Sequence, residues 1–237
     1  MTNVAEEAYK QGIRKVTMGF STGKDSVVGL DQLLKAGIEV LPVYHYIVPG
    51  LKFIERNIKL YEDHFKVRVL RLPHPILYDY INHQDWQPFD RAKTLSQFNL
   101  GVLSFRLVTN MYLLSNKLEG FDYDVNCMKM ADSLNRRLLL KNRPDVDHEK
   151  KVIYITKYFT NNQCFEYLKK NGIPLTEDYR IFGRSWDGLS YHFTMGVKKY
   201  YPEDYELIRE YWPLIDAEVM RYKIVSNGKY IKQNETR

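Results

Sequence analysis

Apolar and polar positions near the start of the chain change from a strand-like to a helix-like period within twenty residues. Val16, Met18 and Phe20 fall on one face at a spacing of two, which is typical of a β-strand. Over residues 27–34 the apolar positions instead recur at helical spacing and form a broad stripe. The pattern therefore predicts a strand, a short turn over residues 21–26 and an amphipathic helix.

The next forty residues continue the alternation of strand and helix. Residues 39–46 form an almost continuous apolar run, as buried parallel strands do. Residues 51–65 carry apolar positions at helical spacing, and residues 67–72 alternate as a short strand. This β-α-β-α-β order predicts a parallel sheet with right-handed crossovers and helices on both faces.

Weaker patterns complete the predicted fold. Residues 73–95 contain three prolines and predict an irregular excursion near the ligand, and residues 142–150 predict a polar loop. The remaining predicted elements are helices over 98–118, 133–141, 162–171, 187–200 and 203–221, and strands over 123–128 and 152–155. We therefore predict an α/β fold with an open, mainly parallel five-stranded sheet and helices on both faces. No repeat or linker divides the chain, so we expect a single domain over residues 1–237, in which residues 174–237 form a helical C-terminal extension.

The composition is that of a globular protein that favours anions. Of the 237 residues, 44% are hydrophobic and 27% are charged, and the formal net charge is +6. A positive balance suits nucleotides and nucleic acids alike, so it does not choose between them. No apolar stretch approaches the roughly 18 residues of a membrane span, and residues 1–11 do not resemble a signal peptide. We expect a cytoplasmic protein without a membrane partner.

The two cysteines, Cys127 and Cys164, are too far apart to form a Cys-x-x-Cys pair. Free thiols are therefore expected, and neither a zinc nor an iron–sulfur site is predicted. Asp145, Asp147 and His148 lie close together in the polar loop, but a solvated turn is the simpler interpretation of this triplet.

The turn after the first strand has side chains suited to phosphate. It consists of Ser21, Thr22, Gly23, Lys24, Asp25 and Ser26. Backbone N–H groups and the dipole at a helix N terminus favour a bound anion, glycine permits close approach, and lysine adds a mobile positive charge. The alternative is that Ser21 or Asp25 merely caps the helix.

The order Ser-x-Gly-Lys-Asp-Ser resembles the phosphate loop Ser-Gly-Gly-x-Asp-Ser of the PP-loop ATP pyrophosphatases, and most closely its lysine-bearing form in PAPS reductase-like proteins. The spacing of a Walker A loop is absent. The resemblance implies the adenine nucleotide α-hydrolase-like fold, ATP or a related adenine nucleotide held by residues 21–26, and Mg²⁺ bound at Asp25. It also implies a catalytic role for Lys24. Thr22 stands where the family has glycine, and threonine tolerates positive φ poorly, so a slightly different loop shape is expected.

A second segment, residues 129–137, resembles the family's Gly-x-x-x-(Asp/Glu)-Ser-x-x-Arg segment, whose arginine contacts phosphate or sulfate. On this resemblance Asp132 and Ser133 bind the nucleotide, and Arg136 and Arg137 are candidate catalytic cations. The alternative is a solvated helix in which Ser133 is the cap and both arginines face water.

The ends of three predicted strands should meet at one crevice. Ligands of parallel sheets bind at the carboxyl ends of the strands where the strand order reverses, so residues 21–26, 44–46 and 127–133 should converge. His45 could contact the base or sugar of a nucleotide there, or be a hydrogen-bonded core histidine. Cys127 is expected to be buried and inert.

Two functions remain open. The first is ATP-dependent adenylylation of an unidentified acceptor, with nucleic acid among the candidates, and release of pyrophosphate. The alternative is a non-catalytic accessory protein that binds nucleotide or nucleic acid through the same loop. Sulfonucleotide reduction is not expected, because the reductases need a nucleophilic cysteine near the C terminus and no cysteine follows Cys164. The aromatic-rich residues 200–212 could form a homo-oligomer interface.

Overall fold

A six-stranded, mostly parallel sheet lies at the centre of the computed structural model, which describes residues 3–221 and 224. The strand order is β3-β2-β1-β4-β6-β5, and every neighbouring pair is parallel except β5 with β6. The strands are β1 (Lys15–Gly19), β2 (Glu39–Tyr46), β3 (Leu70–Pro73), β4 (Tyr123–Asn126), β5 (Val146–Asp147) and β6 (Val152–Tyr154).

Helices occupy both faces of this sheet. They are α1 (Val4–Lys10), α2 (Lys24–Lys35), α3 (Lys52–Phe65), α4 (Pro75–His83), α5 (Phe89–Leu95), α6 (Phe105–Ser115), α7 (Leu134–Lys141), α8 (Asn161–Lys170), α9 (Asp178–Phe182), α10 (Tyr191–Tyr200) and α11 (Pro202–Tyr211). None of the helices within the described residues is both long enough and apolar enough to cross a membrane.

The direction of the crossovers assigns the central helices to opposite faces. From β1 the chain moves outward to β2 and β3, and it then returns past β1 to β4 and β6. Since parallel crossovers are right-handed, α2 and α3 lie on one face and α6 and α7 on the other. The strand order therefore reverses between β1 and β4, where ligands of open α/β sheets bind.

The two faces are packed very unequally. Val27, Leu30, Phe53 and Ile58 on α2 and α3 are at most 1% exposed and belong to the main hydrophobic core. On the opposite face, the buried cluster beneath α6 consists of Val43, Leu72 and Val108. One face of the sheet is thus closed by a deep core, and the other carries a thin layer.

The elements predicted over residues 13–72 are confirmed in their order and type. The strand over residues 39–46 has the expected bounds, and α2 buries the predicted apolar stripe. β3 begins at Leu70, three residues later than expected, because residues 67–69 do not pair with β2.

Residues 73–95 are not the irregular excursion that the sequence predicted, because two of their three prolines stand at the starts of helices. Pro75 occupies the first turn of α4, and the His74 imidazole accepts a hydrogen bond of 3.0 Å from the N–H of Ile76. Pro88 is the N-cap of α5. Proline lacks an N–H and has a helical φ, so it fits a first turn at little cost.

The sheet has one strand more than the five predicted. β5 lies inside the predicted polar loop 142–150 and pairs with β6 through two residues, Val146 opposite Ile153 and Asp147 opposite Val152. A strand of two residues is too short to show the alternation of apolar and polar positions by which strands are predicted. The five strands other than β5 form the predicted parallel part of the sheet.

Three helix predictions were wrong in their bounds. α6 begins at Phe105, where Ser104 is its cap, rather than at residue 98. The helix predicted over 203–221 is interrupted after Tyr211, because Pro213 cannot continue it, and residues 216–221 are helical again. The helix predicted over 187–200 begins only at Tyr191, as α10. The short helix α9 was not predicted.

The segment after residue 174 packs on α3. Asp204 accepts hydrogen bonds from the N–H groups of Lys52 and Phe53 at 2.7 and 3.0 Å, and the rings of Phe53 and Tyr201 stack at 4.7 Å. Residues 222–223 and 225–237 of the predicted extension lie outside the described part of the chain.

Three of the five aromatic side chains that the sequence suggested for an oligomer interface are buried within the chain. Tyr201, Tyr205 and Trp212 are at most 9% exposed.

Candidate functional site

The turn between β1 and α2 forms a cradle of hydroxyl groups around the helix N terminus. Gly23 is the N-cap of α2 and has no side chain to cap it. The Ser26 hydroxyl donates a hydrogen bond of 2.9 Å to the carbonyl oxygen of Gly23 and lies 3.4 Å from the Ser21 hydroxyl. Neither Ser21 nor Asp25 is the N-cap residue, so the alternative of a simple capping role is wrong.

Thr22 adopts the backbone shape that glycine would have. Its φ is +56° and its side chain is buried. A left-handed conformation costs an L-residue roughly 1–2 kcal/mol, so the surrounding packing must hold Thr22 in place. Thr22 thus adopts, at a buried position, a left-handed conformation that threonine tolerates poorly.

A buried lysine ties the cradle to the segment after β4. The Lys129 side chain is 1% exposed, and its ammonium group forms salt bridges with Asp25 and, at 3.1 Å, with Asp132. Burial alone would lower the pKa of Lys129, but hydrogen bonds and charge from Asp25 and Asp132 outweigh it and raise the pKa. Burial alone would raise the pKa of Asp132, but Lys129 and Arg136 outweigh it, so this pKa is lowered. Lys129 and Asp132 are therefore both charged at neutral pH.

The Lys24 side chain lies beside Asp25 and the Phe165 ring. Its ammonium group lies 3.3 Å from Asp25 and 5.7 Å from the centroid of the Phe165 ring. Its backbone N–H donates a hydrogen bond of 2.6 Å to the Tyr179 hydroxyl. An anion at this amide would have to displace Tyr179.

A cavity of about 420 Å³ opens beside the cradle, at the reversal of strand order between β1 and β4. The three segments expected to converge there all contribute to its wall. Of the predicted site residues, those that line it are Ser21, Asp25, Ser26, His45, Asp132 and Arg136. The predicted residues that do not line it are Thr22, Gly23, Lys24, Ser133 and Arg137.

The two arginines of α7 have different positions. The Arg136 guanidinium lies 2.5 Å from Asp132 and contributes to the cavity wall, whereas Arg137 is exposed and lies outside it. The Ser133 hydroxyl accepts a hydrogen bond of 3.2 Å from the N–H of Arg136 and caps α7. The capping alternative is therefore correct for Ser133, while Arg136 faces the cavity.

His45 borders the cavity as a neutral imidazole. Burial, and then the charge of His74, lower the pKa of His45 to about 4. Its Nε2 atom is buried and has no hydrogen-bond partner among the described residues, and its ring packs edge-on against Phe105 at 4.9 Å. A neutral imidazole can hydrogen-bond a ligand, but it cannot serve as a proton donor at neutral pH.

Cys127 also lines the cavity, as a protonated thiol. Burial, followed by the charge of Asp25, raises the pKa of Cys127 well above its usual value. A thiol with a raised pKa is a poor nucleophile.

Asp145, Asp147 and His148, the triplet that the sequence predicted to lie in a solvated turn, each contact other residues of the chain. Asp145 pairs with Lys157 at 2.9 Å, and His148 lies 2.6 Å from the Tyr123 hydroxyl. Asp147 accepts a hydrogen bond of 2.9 Å from the N–H of Lys150.

The chain segment after α9 closes the cavity from a side that the sequence did not indicate. The buried carboxylate of Asp178 accepts hydrogen bonds of 2.8 Å from Asn57 and of 3.1 Å from the N–H of Trp186. These bonds hold Trp186 and Asp187 at the cavity wall. The sequence did not indicate this contact, because it joins Asn57 of α3 to a residue 121 positions away.

Two further polar groups of the cavity were missed. Asp124 on β4 and Thr17 on β1 both line it, and the Thr17 hydroxyl lies 3.1 Å from the Asp124 carboxylate. Burial raises the pKa of Asp124. A carboxylate and a hydroxyl inside strands are ordinary sequence features, so nothing in the pattern singled them out.

Asp25 is the described residue best placed to hold a metal ion. Its Oδ2 atom is paired with Lys129 and Lys24, while its Oδ1 atom is buried and has no partner among the described residues. The described residues contain no group of three or more His, Cys, Asp or Glu side chains that could bind a metal. One carboxylate oxygen suits Mg²⁺ only where phosphate oxygens and water supply its other ligands.

The sequence matches no protein-family model and no curated protein. Among solved structures, the fold is similar to that of Candida glabrata FMN adenylyltransferase in complex with FMN and the ATP analogue AMPCPP, with a TM-score of 0.50 and 9% identity. This similarity covers 76% of this chain and 58% of that chain, so the chain spans less than two thirds of the adenylyltransferase.

A second solved structure is similar over most of its length. It is the NH3-dependent NAD synthetase of Campylobacter jejuni subsp. jejuni NCTC 11168 in complex with nitrate, with a TM-score of 0.46 and 13% identity over 91% of this chain and 90% of that chain. At such identities, the similarity to FMN adenylyltransferase establishes an α/β fold and leaves the activity open.

Proposed function

We propose that this chain is a PP-loop protein, similar to PAPS reductase-like proteins, that binds ATP or a related adenine nucleotide and catalyses adenylylation of an unidentified acceptor. The observation that carries the proposal is the cradle at the N terminus of α2. Its hydroxyl groups and the Asp25 carboxylate open into a cavity at the reversal of strand order.

Charge around the cradle supports an anionic ligand. Two carboxylates, Asp25 and Asp132, are surrounded by three cations, Lys24, Lys129 and Arg136. The cluster therefore carries a net charge of about +1 before any ligand binds. That excess, together with the α2 dipole, attracts phosphate.

The fold is compatible with this chemistry. FMN adenylyltransferase, which has a similar fold, was solved in complex with an ATP analogue and also with FAD and inorganic pyrophosphate. In adenylylation, a nucleophilic atom of the acceptor attacks the α-phosphorus of ATP. The bond from that phosphorus to the bridging oxygen breaks, and pyrophosphate leaves with the negative charge.

The roles of this chain's own residues follow from their positions. Arg136 neutralises charge on the phosphates from the cavity wall, and Lys129 fixes the Asp25 and Asp132 carboxylates without touching the ligand. The Ser21 hydroxyl donates a hydrogen bond to phosphate, and Ser26, whose hydroxyl donates to the Gly23 carbonyl oxygen, holds the shape of the cradle. Mg²⁺, where it binds at Asp25, would supply further positive charge to the phosphates.

The two neighbouring arginines of α7 provide a matched test. We expect Arg136→Ala to weaken ATP binding about tenfold. The Arg136 guanidinium is about half exposed, so water screens its contact with phosphate and its contribution to the binding free energy is smaller than that of a buried arginine. Arg137→Ala, one residue further along and outside the cavity, should leave the affinity unchanged. Calorimetric titration with ATP, AMP and PAPS in the presence of magnesium measures this, and a pyrophosphate assay on the same samples measures turnover. Equal effects of the two variants would contradict the proposed site.

The non-catalytic alternative gives a different result in the same experiments. ATP binding without any release of pyrophosphate, together with DNA binding that weakens steeply with salt, would favour an accessory protein. Salt-tolerant ATP binding with slow release of pyrophosphate would favour the enzyme.

A further inference from the structure

A second cavity, of about 580 Å³, lies between α4, α5 and the end of α11. None of the described residues lines both this cavity and the one beside the cradle. Its apolar lining consists mainly of Leu77, Ile81, Leu95 and Trp212. A cavity of this size, with apolar walls and a few polar groups, is typical of a small-molecule site. We call it the α4–α5–α11 cavity.

Hydrogen bonds between α5 and the end of α11 fix the shape of this cavity. The Gln87 side chain donates a hydrogen bond of 2.9 Å from Nε2 to the carbonyl oxygen of Tyr211. The Arg91 guanidinium donates one of 2.9 Å to the carbonyl oxygen of Glu210. All four of these residues line the cavity, so its walls are joined to each other before any ligand binds.

Two polar atoms of the lining residues are buried without a hydrogen-bond partner in the described part of the chain. They are Oε1 of Gln87 and Nε1 of Trp212. Because Nε2 of Gln87 donates to a carbonyl oxygen, the orientation of this amide is determined and Oε1 can only accept, whereas Nε1 of Trp212 can only donate. Trp212 is 2% exposed, and the rings of Tyr80 and Trp86 pack edge-on against it at 5.6 and 6.1 Å. Buried polar groups are nearly always hydrogen-bonded, so an unpaired acceptor and donor in one cavity wall indicate a ligand that supplies both partners.

The charge around the cavity disfavours an anionic ligand. The charged residues that line it are Asp90, Arg91 and Glu210, and two carboxylates against one guanidinium give a formal charge of −1. A phosphate group would be repelled here, in contrast to the cradle at α2, whereas a neutral molecule would not. The α4–α5–α11 cavity is therefore not a second nucleotide site.

We propose that the α4–α5–α11 cavity binds a neutral, flat aromatic molecule that carries a carboxamide. The aromatic ring packs against the apolar wall, where Tyr211 and Trp212 offer aromatic partners. The carbonyl oxygen of the carboxamide accepts a hydrogen bond from Nε1 of Trp212, and its N–H donates one to Oε1 of Gln87. One ligand thus removes the cost of both unpaired groups.

Benzamide is the simplest molecule of this class, and the three tryptophans of the chain report where it binds. We expect the indole N–H signal of Trp212, assigned by its loss in Trp212→Phe, to move downfield in ¹⁵N-resolved NMR spectra as benzamide is added, with a dissociation constant of about 1 mM or lower. Nε1 of Trp186 is also buried without a partner among the described residues, but Trp186 lines the cavity beside the cradle, so its signal should not move. Acetophenone has the carbonyl group without the N–H and should bind about tenfold more weakly, because Oε1 of Gln87 then stays unpaired.

Two neighbouring exposed residues of α5 provide matched variants. Thr94 lines the cavity and Lys93 does not. Thr94→Phe should fill the cavity and raise the dissociation constant of benzamide tenfold or more, whereas Lys93→Phe should leave it unchanged. Circular dichroism spectra that match those of the wild type would show that both variants are folded.

Four results would overturn the proposal. They are no binding of benzamide at roughly 10 mM, a shift of the Trp186 signal instead of the Trp212 signal, equal loss of binding in the two α5 variants, and acetophenone binding as tightly as benzamide. The comparison of the two ligands uses the wild-type protein, so it holds even where a variant fails to fold. No nucleotide is present in these measurements, so their outcome is independent of the proposed adenylylation.

Discussion

Lys129→Met should destabilise the protein and also weaken nucleotide binding, because one buried ammonium group holds two carboxylates of the candidate site. The Lys129 side chain is 1% exposed and bridges Asp25 and Asp132. Methionine has a similar length and fills the same space without the charge. The substitution therefore removes the ion pairs and keeps most of the packing.

The size of the effect follows from what remains around the two carboxylates. Removing one partner of a buried ion pair costs about 3–5 kcal/mol. Asp25 keeps Lys24 at 3.3 Å, Asp132 keeps Arg136 at 2.5 Å, and both carboxylates are partly reached by water. We therefore expect a loss of about 2–3 kcal/mol, which lowers Tm by roughly 4–12 °C in a chain of this size.

A second buried lysine separates stability from ligand binding. Lys157 is 3% exposed and pairs with Asp145 at 2.9 Å, and it does not line the cavity. Urea and thermal unfolding at neutral pH should show a loss of stability for both Lys129→Met and Lys157→Met. Calorimetry should show weaker ATP binding for Lys129→Met alone. Adding Asp132→Asn to Lys129→Met should recover part of the lost stability, since it removes one unpaired charge.

Two results would refute this reasoning. A loss below about 1 kcal/mol for Lys129→Met would mean that the ion pairs contribute little to folding. An equal loss of ATP affinity in Lys129→Met and Lys157→Met would mean that Lys129 affects the ligand only through general stability.

Two further predictions concern the cradle and the cavity wall. The pKa of His45 is lowered to about 4 in the fold, so stability should fall by up to about 3 kcal/mol as the pH drops from about 6.5 towards 4. Urea unfolding across this range should show a shallower fall for His45→Gln, with the remainder coming from His74, whose pKa burial also lowers, and parallel profiles would contradict the assignment. Gly23→Ala would place a Cβ atom 2.7 Å from the Ser185 hydroxyl and 3.1 Å from the Ser21 hydroxyl of the cradle, so both side chains must shift and calorimetry should show ATP affinity reduced about tenfold. Gly101→Ala, where a Cβ atom meets no neighbour, is the control, and an unchanged affinity in a folded Gly23→Ala variant would be evidence against the cradle.

The central fold could be predicted because local periods carry its information. The apolar run over residues 39–46 and the apolar stripe of α2 each indicate that the element is buried, and the alternation of strands with helices predicts a parallel sheet. Errors arose where the same residue type is common in two kinds of local structure, as proline is in irregular segments and in the first turn of helices. Pro75 and Pro88 were interpreted as signs of irregular chain, whereas each stands at the start of a helix.

The candidate site could be predicted only where residues adjacent in sequence form it. The turn over residues 21–26 is such a segment, and its position at the strand end follows from the fold. The contact of Lys129 with Asp25 joins residues 104 positions apart, and that of Lys24 with Tyr179 joins residues 155 positions apart. Pairings over these distances depend on how helices pack after the sheet has formed, and a single sequence does not record them.

The unequal packing of the two sheet faces determines which helices unfold locally at the lowest free-energy cost. Because the deep core covers α2 and α3, we expect their amide hydrogens to exchange with solvent only when the whole sheet unfolds. Those of α6 are protected by the small cluster of Val43, Leu72 and Val108, so this helix can detach while β1 and β2 stay paired. The wall of the cavity that carries Phe105 is thus the part of the site with the lowest cost of local opening. A ligand can enter there while the cradle at α2 remains in place.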